Sequence, residues 1–165
     1  MDYKIRKATK EDVINCRKLA DFANELMIKR NNPQWSCGYP EIEILYKDVE
    51  IGQLFVAEEN DELVGMVAIQ KRKDDIYENY DFWSEGPYIS IHRVVSKRSG
   101  LGRVLINMGI EMAKEIGANV RIDTHIKNIK MQALIESLGF SYVGKTEQNY
   151  IDKTLAITYE LVINN

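Results

Sequence analysis

A short turn at residues 97–103 combines two glycines with three basic side chains, directly before a helical pattern. Gly100 and Gly102 let the backbone come close to an anion, because glycine has no Cβ. Amide groups at a helix start carry the positive end of the helix dipole and suit phosphate or pyrophosphate groups. The predicted contacts are Lys97, Arg98, Ser99, Gly100, Leu101, Gly102 and Arg103. From these residues alone, a phosphate site and a helix start that simply needs flexible residues are equally good interpretations.

The residues around the turn distinguish between kinds of phosphate ligand. A P-loop requires lysine and then serine or threonine after its last glycine, whereas Gly102 is followed by Arg103. Nucleoside triphosphate hydrolysis is therefore not expected. A dinucleotide fingerprint fits better, because Gly100 and Gly102 follow a strand and Asp123 ends the next strand about 20 residues later. Its third small residue is replaced by Leu105, so a dinucleotide-binding oxidoreductase is the less favoured alternative.

Hydrophobic periodicity predicts the elements that position this turn. Alternating apolar residues indicate strands, and apolar residues three or four apart indicate helices. The predicted order is strand, two helices, three strands, helix, strand, helix and two strands, with a hairpin turn at Asn60-Asp61. The helices are predicted at residues 13–27, from Pro40 onward, at 101–116 and at 129–138, and the strands at 3–8, 54–57, 63–69, 88–95, 119–124, 140–144 and 154–163. We expect an α/β (α+β) protein with one domain, 1–165, that mixes parallel and antiparallel strand pairs.

Composition agrees with a single globular domain. The 165 residues are 45% hydrophobic and 28% charged, and the net charge is only −3, which gives no sign of a nucleic-acid partner. No run approaches the roughly 18 apolar residues of a membrane span, and residues 1–4 do not resemble an export signal. Cys16 and Cys37 have neither disulfide-framework nor zinc-site spacing, so we expect reduced thiols, no metal and a cytoplasmic location. Assembly into a homodimer is compatible with the sequence.

Two motifs together resemble the GNAT acyltransferase superfamily. The family signature is a strand followed by Arg or Gln, two residues, Gly, one residue, and then Gly or Ala at a helix start. Here the stretch is Lys97-Arg98-Ser99-Gly100-Leu101-Gly102, with lysine in the first place. Downstream, residues 123–128 and 131–140 resemble the second half of the pattern, with Asn128 and the pair Gly139-Phe140 in register. The first strand and helix, the hairpin and the closing strands match too, so the resemblance covers nearly the whole chain.

The resemblance implies a fold, a co-substrate and an activity. The implied fold is a mixed central sheet, flanked by about four helices, that splays into a V between its fourth and fifth strands. The implied co-substrate is acetyl-CoA, with its pyrophosphate on the glycine turn and its pantetheine arm in the V. Val94 and Val95 are implied main-chain contacts to that arm, and Asn128 an implied polar contact from the far wall. The implied activity is acetyl transfer to a primary amine of a small molecule or peptide, by direct attack in a ternary complex.

The chain departs from the family pattern at two places. Many members have a tyrosine four residues before the Gly-Phe pair, where it protonates the departing thiolate, and this chain has Ile135 there. The connection from Val95 to Gly100 is also shorter than usual. A thiol with a pKa of about 8.5 needs little help to leave, so water or Tyr150 is expected to protonate it. The missing tyrosine motivates an alternative function, a catalytically silent acyl-CoA-binding sensor.

Transfer to an amine requires that the amine lose a proton. A lysine-like amine with a pKa of about 10.4 is only roughly one part in 2,500 neutral at pH 7. His92 is the preferred base, because it precedes Val94 by two residues and imidazole titrates near neutrality; a histidine hydrogen-bonded within the sheet is the competing interpretation. His125 is the second candidate, either in catalysis or in orienting the Asn128 loop. A backbone N–H of Val94 or Val95 is expected to stabilise the oxyanion.

Aromatic residues in polar loops predict the acceptor pocket. These loops should reach the open end of the V, and although aromatic clusters more often belong to a core, these lie outside periodic segments. The predicted pocket residues are Trp35, Tyr39, Trp83 and Tyr88. Three glutamates are candidate partners for a cationic acceptor, or else ordinary surface charges: Glu41, Glu43 and Glu85.

Overall fold

A seven-stranded mixed sheet organises residues 2–164, the part of the chain that the computed structural model describes. The strands are β1 (Lys4–Lys7), β2 (Leu54–Glu59), β3 (Glu62–Gln70), β4 (Tyr88–Ser96), β5 (Asn119–Thr124), β6 (Ser141–Thr146) and β7 (Ala156–Leu161). The helices are α1 (Val13–Lys29), α2 (Ile42–Glu50), α3 (Leu101–Ile116) and α4 (Ile129–Ser137). The spatial strand order is β1-β2-β3-β4-β5-β7-β6, and β4 and β5 form the one parallel pair among these residues. The predicted order of elements is confirmed.

Local sequence signals explain most element boundaries. Asn60 and Asp61 both have positive φ, 51° and 63°, as a tight hairpin turn between β2 and β3 requires. Gly117 ends α3 in the left-handed region at φ 65°. The second helix begins two residues later than predicted, because Glu41 remains extended as its N-cap after Pro40. The last strand is shorter than predicted at both ends.

Strands β4 and β5 separate partway along their length. They pair from Tyr88 opposite Asn119 to Ile91 opposite Ile122. Beyond that point β4 continues along β3 and β5 continues along β7. The sheet therefore opens into a V between its fourth and fifth strands, which confirms the predicted fold.

A β-bulge lies in β4 just beyond the point of separation. The register with β3 shifts between Met66 and Ala68, so that Arg93 and Val94 together oppose a single residue. Arg93 has a φ of 56°, a conformation that costs a non-glycine residue on the order of 1 kcal/mol and is concentrated at functional sites. The strained residue thus lies at the wall of the V.

The sheet separates two hydrophobic cores. On one side α3 packs against β4 and β5, with Leu105 and Ile106 fully buried. On the other side α1 and α2 cover the hairpin strands, with Cys16 and Leu45 fully buried. Burial raises the pKa of the Cys16 thiol to about 12, so this cysteine stays protonated. Helices therefore cover both faces of the sheet.

Gly144 of β6 lies directly under the ring of Phe82. A methyl group at this position would be 2.6 Å from Phe82 Cε1, and the ring itself is packed between Tyr80 and Trp83. We expect Gly144→Ala to lower the free energy of unfolding by about 1–3 kcal/mol, as overpacking does, measured by denaturant unfolding. In a Phe82→Ala background the same substitution should cost clearly less, and an equal cost would contradict this account.

Arg6 joins β1 to two carboxylates. It lies 2.7 Å from Asp12 and 2.9 Å from Glu58, and its hydrogen bonds lower the pKa of the Asp12 carboxyl from 3.8 to about 2. Since the folded pKa is below the unfolded one, this contribution to stability is complete above about pH 4 and is lost as the pH falls towards 2. Asp12→Asn should therefore cost about 2 kcal/mol more at pH 7 than at pH 2. Denaturant unfolding at both pH values checks this, and a pH-independent cost would refute it.

Candidate functional site

A cavity of about 510 Å³ opens where β4 and β5 separate. Residues of both strands line it, together with the loop at residues 33–39, the start of the loop before β4, and the loop between β6 and β7. Six residues from the predicted site meet there: Trp35, Tyr39, His92, Val94, Asn128 and Tyr150. The V predicted for the co-substrate and the pocket predicted for the acceptor are thus one continuous space.

His92 forms a short contact with a buried carboxylate. Its Nε2 lies 2.7 Å from Asp74 Oδ2, and Asp74 Oδ1 accepts hydrogen bonds from the amides of Ile76 and Tyr77 at 3.1 and 3.4 Å. Burial acts to raise the pKa of Asp74, but the hydrogen bond from His92 and those from the two amides outweigh it and hold the pKa below its usual value. An ionised Asp74 keeps the ring proton on Nε2 and leaves Nδ1 as an acceptor. A histidine base needs this arrangement.

Asp123 faces His92 across the opening. Asp123 comes directly after Ile122 of β5, and His92 comes directly after Ile91 of β4. Ile122 and Ile91 are the last two residues that pair between these two strands. The Tyr77 hydroxyl donates to Asp123 Oδ2 at 2.5 Å. Burial raises the pKa of Asp123 and holds the pKa of Tyr77 well above 10, so Tyr77 remains a protonated donor. Two carboxylates with oppositely shifted pKa values, Asp74 and Asp123, therefore flank the apex of the V.

Sequence reasoning missed part of this apex. Asp74 and Tyr77 lie in the polar loop before β4, and nothing in their local pattern sets them apart from the other loop residues. The sequence marks Asp123 only as the acidic residue of a dinucleotide fingerprint. The sequence did contain one signal for this part of the site. The loop before β4 is long and carries several aromatic residues, and such loops commonly fold back over a site.

His125 lies outside the lining of the cavity and is completely buried. Its Nε2 is 2.9 Å from both Asp152 Oδ2 and Thr154 Oγ1, and its Nδ1 accepts the amide of Lys127 at 3.0 Å. The backbone carbonyl of His125 also accepts the amide of Asn128 at 2.9 Å. Because both ring nitrogens are engaged, this geometry favours the predicted role in orienting the Asn128 loop over direct catalysis.

Tyr150 lines the cavity with a hydroxyl that has no hydrogen-bond partner among the described residues. The side chain is 7% exposed and its ring stacks at a tilt on His125, with centroids 4.8 Å apart. Burial, with further contributions from Asp123 and Tyr39, raises the pKa of this phenol above its usual value. The hydroxyl therefore stays protonated and can donate to a bound molecule.

Gln34 ties the aromatic loop to the far wall of the cavity. Its Oε1 accepts hydrogen bonds from Asn128 Nδ2 at 2.9 Å, the Thr124 hydroxyl at 3.1 Å and the amide of His125 at 3.3 Å. Asn128 also caps α4, since its Oδ1 accepts the amide of Met131 at 3.3 Å. One amide hydrogen and one lone pair of Asn128 thus have protein partners, which leaves the second amide hydrogen and the second lone pair for a contact with the co-substrate.

The bulge in β4 anchors two of the aromatic residues that line the cavity, Trp35 and Tyr39. Arg93 donates to the Tyr39 hydroxyl at 2.7 Å and makes two hydrogen bonds with Asp48, at 2.6 and 2.8 Å. Trp35 packs edge-on against Tyr39, with ring centroids 5.8 Å apart. The strained conformation of Arg93 therefore holds the aromatic loop over the cavity.

Trp83 and Tyr88, the other two aromatic residues predicted for the acceptor pocket, do not line the cavity. The Arg121 guanidinium lies 4.2 Å from the centroid of the Trp83 ring and 3.7 Å from that of Tyr88. Arg121 also forms a buried ion pair with Glu160 at 2.9 Å. The structure thus differs from the expectation for Trp83 and Tyr88, because their rings are engaged in covering this ion pair.

The glycine turn leads from β4 into α3, as predicted. Gly100 is the N-cap of α3 with a φ of 80°, and a Cβ there would meet nothing within 4 Å. Gly102 lies in the first turn, where backbone amides have no intrahelical acceptor. A Cβ at Gly102 would lie 3.4 Å from Leu134, an ordinary van der Waals contact, so packing against α4 does not by itself require glycine there. Open space above a left-handed cap and outward amides fit a pyrophosphate group.

The side chains of the turn differ in how they could contact an anion. Arg98 pairs with Glu59 at 2.7 Å, Arg103 donates to the Ser137 hydroxyl at 2.7 Å, and Lys97 lies over the ring of Phe22. Ser99 is exposed. Leu101 and Val95 are buried in the two cores, so only their backbones are available to a ligand.

Ile135, at the position of the family's tyrosine, is completely buried in the core that includes α3.

Within residues 2–164, no three His, Cys, Asp or Glu side chains are grouped so that they could hold a metal ion. Nor does this part of the chain contain a helix long and apolar enough to cross a membrane.

Solved structures share this architecture. An acetyltransferase of the GNAT family from Streptococcus agalactiae is similar with a TM-score of 0.84 and 24% identity, covering 99% of this chain and 96% of that one. The protein yncA from Salmonella typhimurium, solved with its cofactor acetyl-CoA, is similar with a TM-score of 0.70 and 19% identity, over 100% and 96% of the two chains. A ribosomal-protein-alanine N-acetyltransferase from Brucella melitensis has a TM-score of 0.70 and 20% identity, over 97% and 99%. At these identities, the likeness establishes the fold.

Sequence comparison with family models adds the family itself. No curated protein matches the chain by sequence. The model described as the acetyltransferase (GNAT) family, however, matches residues 20–140, which include α3, its glycine turn, the V and the pair Gly139-Phe140. This chain belongs to the GNAT acetyltransferase family.

Proposed function

We propose that this protein transfers the acetyl group of acetyl-CoA to a primary amine of a small molecule or peptide, by direct attack in a ternary complex. The observation that carries the proposal is the His92–Asp74 pair, which lies at the opening of the V and faces the same cavity as Val94. Membership of the family supports the acetyl donor. The Salmonella typhimurium structure with acetyl-CoA and the Brucella melitensis alanine N-acetyltransferase support the donor and the amine acceptor.

The co-substrate would lie along β4 and the start of α3. The amides and basic side chains of residues 97–103 would hold its pyrophosphate, and the main chain of Val94 and Val95 would hold the pantetheine arm. Asn128, held by Gln34, would contact the arm from the opposite wall with its second amide hydrogen. Bound in this way, acetyl-CoA supplies an activated thioester, and the protein contributes position and proton transfer.

His92 would remove the proton that blocks attack. Keeping a lysine-like amine neutral at pH 7 costs nearly 5 kcal/mol, so a base beside it has a large effect. Nδ1 of His92 takes the proton, and ionised Asp74 at 2.7 Å from Nε2 stabilises the imidazolium that forms. As the nitrogen–carbon bond forms and the carbon–sulfur bond breaks, the departing thiolate receives a proton from Tyr150 or water.

Amine-dependent release of free thiol tests this proposal. The protein is incubated with acetyl-CoA and a panel of primary amines, and CoA thiol is followed over time. We expect thiol release that requires an amine, with initial-rate patterns that intersect because both substrates bind before either product leaves. Tight CoA binding without amine-dependent release would support the acyl-CoA sensor instead. A rise in melting temperature with NAD(P) and none with CoA would support the oxidoreductase.

Two free thiols support a reducing compartment for this activity. Cys16 is buried and Cys37 is exposed, and neither forms a disulfide. We propose the cytoplasm as the location, where acetyl-CoA is available and exposed thiols remain reduced.

A further inference from the structure

Asp123 is a carboxylate in the cavity that lacks a cationic partner. Its hydrogen bonds come from two neutral groups, the Tyr77 hydroxyl at 2.5 Å and the Gln148 amide at 3.3 Å. No lysine or arginine between residues 2 and 164 forms an ion pair with it. A carboxylate removed from water is costly unless a cation compensates its charge, and burial accordingly raises the pKa of Asp123. A cationic ligand beside Asp123 would supply the missing compensation and favour the ionised carboxylate.

The other charged groups at the apex already have side-chain partners. Asp74 is hydrogen-bonded to His92 at 2.7 Å, and Arg93 forms an ion pair with Asp48 at 2.6 Å. Glu41 and Asp75 also line the cavity, and both are exposed, so they add negative potential at its rim. Arg72 also lines the cavity, so the lining carries four carboxylates, Glu41, Asp74, Asp75 and Asp123, against two arginines, Arg72 and Arg93. Such a lining favours a cationic ligand.

A second polar group in the cavity also lacks a partner. The Tyr150 hydroxyl is buried, has no hydrogen-bond partner among the described residues, and lies close enough to Asp123 for that charge to act on its pKa. Buried polar atoms are almost always satisfied, so this hydroxyl is available to hydrogen-bond a molecule in the cavity. Tyr150 lies between β6 and β7 and Asp123 lies in β5, so two different parts of the chain bring a polar group to the same cavity.

Asp123 is poorly suited to bind the amine that reacts. An opposite charge stabilises the ammonium form, whereas attack requires the neutral amine. A cationic group that stays protonated beside Asp123 lowers the pKa of a second amine in the same molecule, because two like charges lie close together. The amine near His92 then loses its proton more easily. The two sides of the apex thus suit two different nitrogen atoms.

We infer that the acceptor is a diamine or a similar dication, in which Asp123 and the Tyr150 hydroxyl bind the ammonium group that does not react while His92 deprotonates the other. This inference rests on the proposed acetyl transfer and specifies its substrate class. One nitrogen forms the amide bond and loses its proton to His92; the other keeps its charge throughout and undergoes no chemistry. With the Tyr150 hydroxyl bound to that ammonium group, water protonates the departing thiolate.

Three acceptors of matched length test the inference: 1,4-diaminobutane, n-pentylamine and 5-aminopentanoate. They place a positive, a neutral or a negative group at the far end. In the wild-type protein kcat/KM should fall in that order, with the diamine about 10- to 100-fold above pentylamine, as a charge-assisted hydrogen bond provides. Asp123→Asn should remove most of this preference, measured within the variant as the ratio of kcat/KM for the diamine to kcat/KM for pentylamine. Asp75→Asn, the matched control at the rim, should retain the preference.

Melting temperature gives a readout that is independent of activity. The diamine should raise the melting temperature of the wild-type protein and leave that of Asp123→Asn unchanged. Asp123→Asn alone should fold at least as stably as the wild type, since it removes an uncompensated charge and keeps an acceptor for Tyr77.

The outcomes separate the inference from the proposed function. Acetylation of the diamine and of pentylamine at similar rates, with both reduced equally by Asp123→Asn, would overturn the inference and leave acetyl transfer intact. Absence of thiol release with every amine would overturn the proposed function. In that case a diamine-dependent rise in melting temperature that Asp123→Asn abolishes would still support the cation site, and its absence would refute it.

Discussion

Replacing His92 by alanine is expected to lower kcat for amine acetylation by about 10²- to 10³-fold near neutral pH, the range typical of a lost general base. The reason is geometric: Nε2 of His92 is held by Asp74 at 2.7 Å, so Nδ1 is the nitrogen free to accept a proton. The loss should be largest near neutral pH and should shrink at alkaline pH, where more of the amine is neutral without help. Rates measured from pH 6 to pH 10 at saturating acetyl-CoA check this.

Two controls separate catalysis from structure. Asp74→Asn keeps a polar partner for His92 but allows its amide to donate to Nε2, which moves the ring proton to Nδ1 and should also lower kcat. The Kd of CoA should change little in either variant, because neither residue belongs to the glycine turn. If His92→Ala left the shape of the pH–rate profile unchanged, His92 would not be the base.

Replacing Gly100 by alanine should weaken CoA binding by about 10- to 100-fold, the effect of losing one or two hydrogen bonds to a charged group. Gly100 has a φ of 80° and open space above it, so a Cβ would occupy the surface where a pyrophosphate must approach the backbone. The strain itself should lower the free energy of unfolding by about 1–2 kcal/mol. Calorimetric titration gives the Kd, and denaturant unfolding gives the strain.

Gly86→Ala is a matched control for this variant. Gly86 also has a positive φ, 109°, with nothing within 4 Å of a Cβ, and it lies outside the turn and the cavity. It should lose stability without losing CoA affinity. Pantetheine, which lacks the pyrophosphate, should bind Gly100→Ala almost as well as it binds the wild type. An equal loss for CoA and pantetheine would place the pyrophosphate elsewhere.

Much of the fold follows from signals a few residues long. Asn60-Asp61 specified the hairpin, Gly117 ended α3, and the period of apolar residues distinguished helix from strand. The start of α2 was misplaced because proline favours the first helical turn, and here the N-cap follows Pro40. The V between β4 and β5 has no local signal, and it was expected from the family resemblance alone.

The candidate site was harder to predict because its parts come from distant segments. Asp74 reaches His92 from a loop 18 residues earlier in the sequence, and Tyr77 reaches Asp123 across 46 residues. Sequence spacing cannot encode such contacts. The prediction for Trp83 and Tyr88 rests on their being aromatic residues in or beside a loop. In the structure their rings instead lie against Arg121, a charged residue within β5. A charged residue inside a strand pattern is the signal that a buried cation needs aromatic residues around it.

The central claim is that an acetyl group passes from acetyl-CoA to an amine at this cavity. Its most direct test uses acetyl-CoA labelled with deuterium in the acetyl group, with 1,4-diaminobutane as acceptor, and mass spectrometry of the acceptor after incubation. The account predicts one labelled acetyl group on the diamine, formed in step with free CoA, and its near absence with His92→Ala. Release of CoA without labelled amine, or labelled amine at an undiminished rate with His92→Ala, would contradict it.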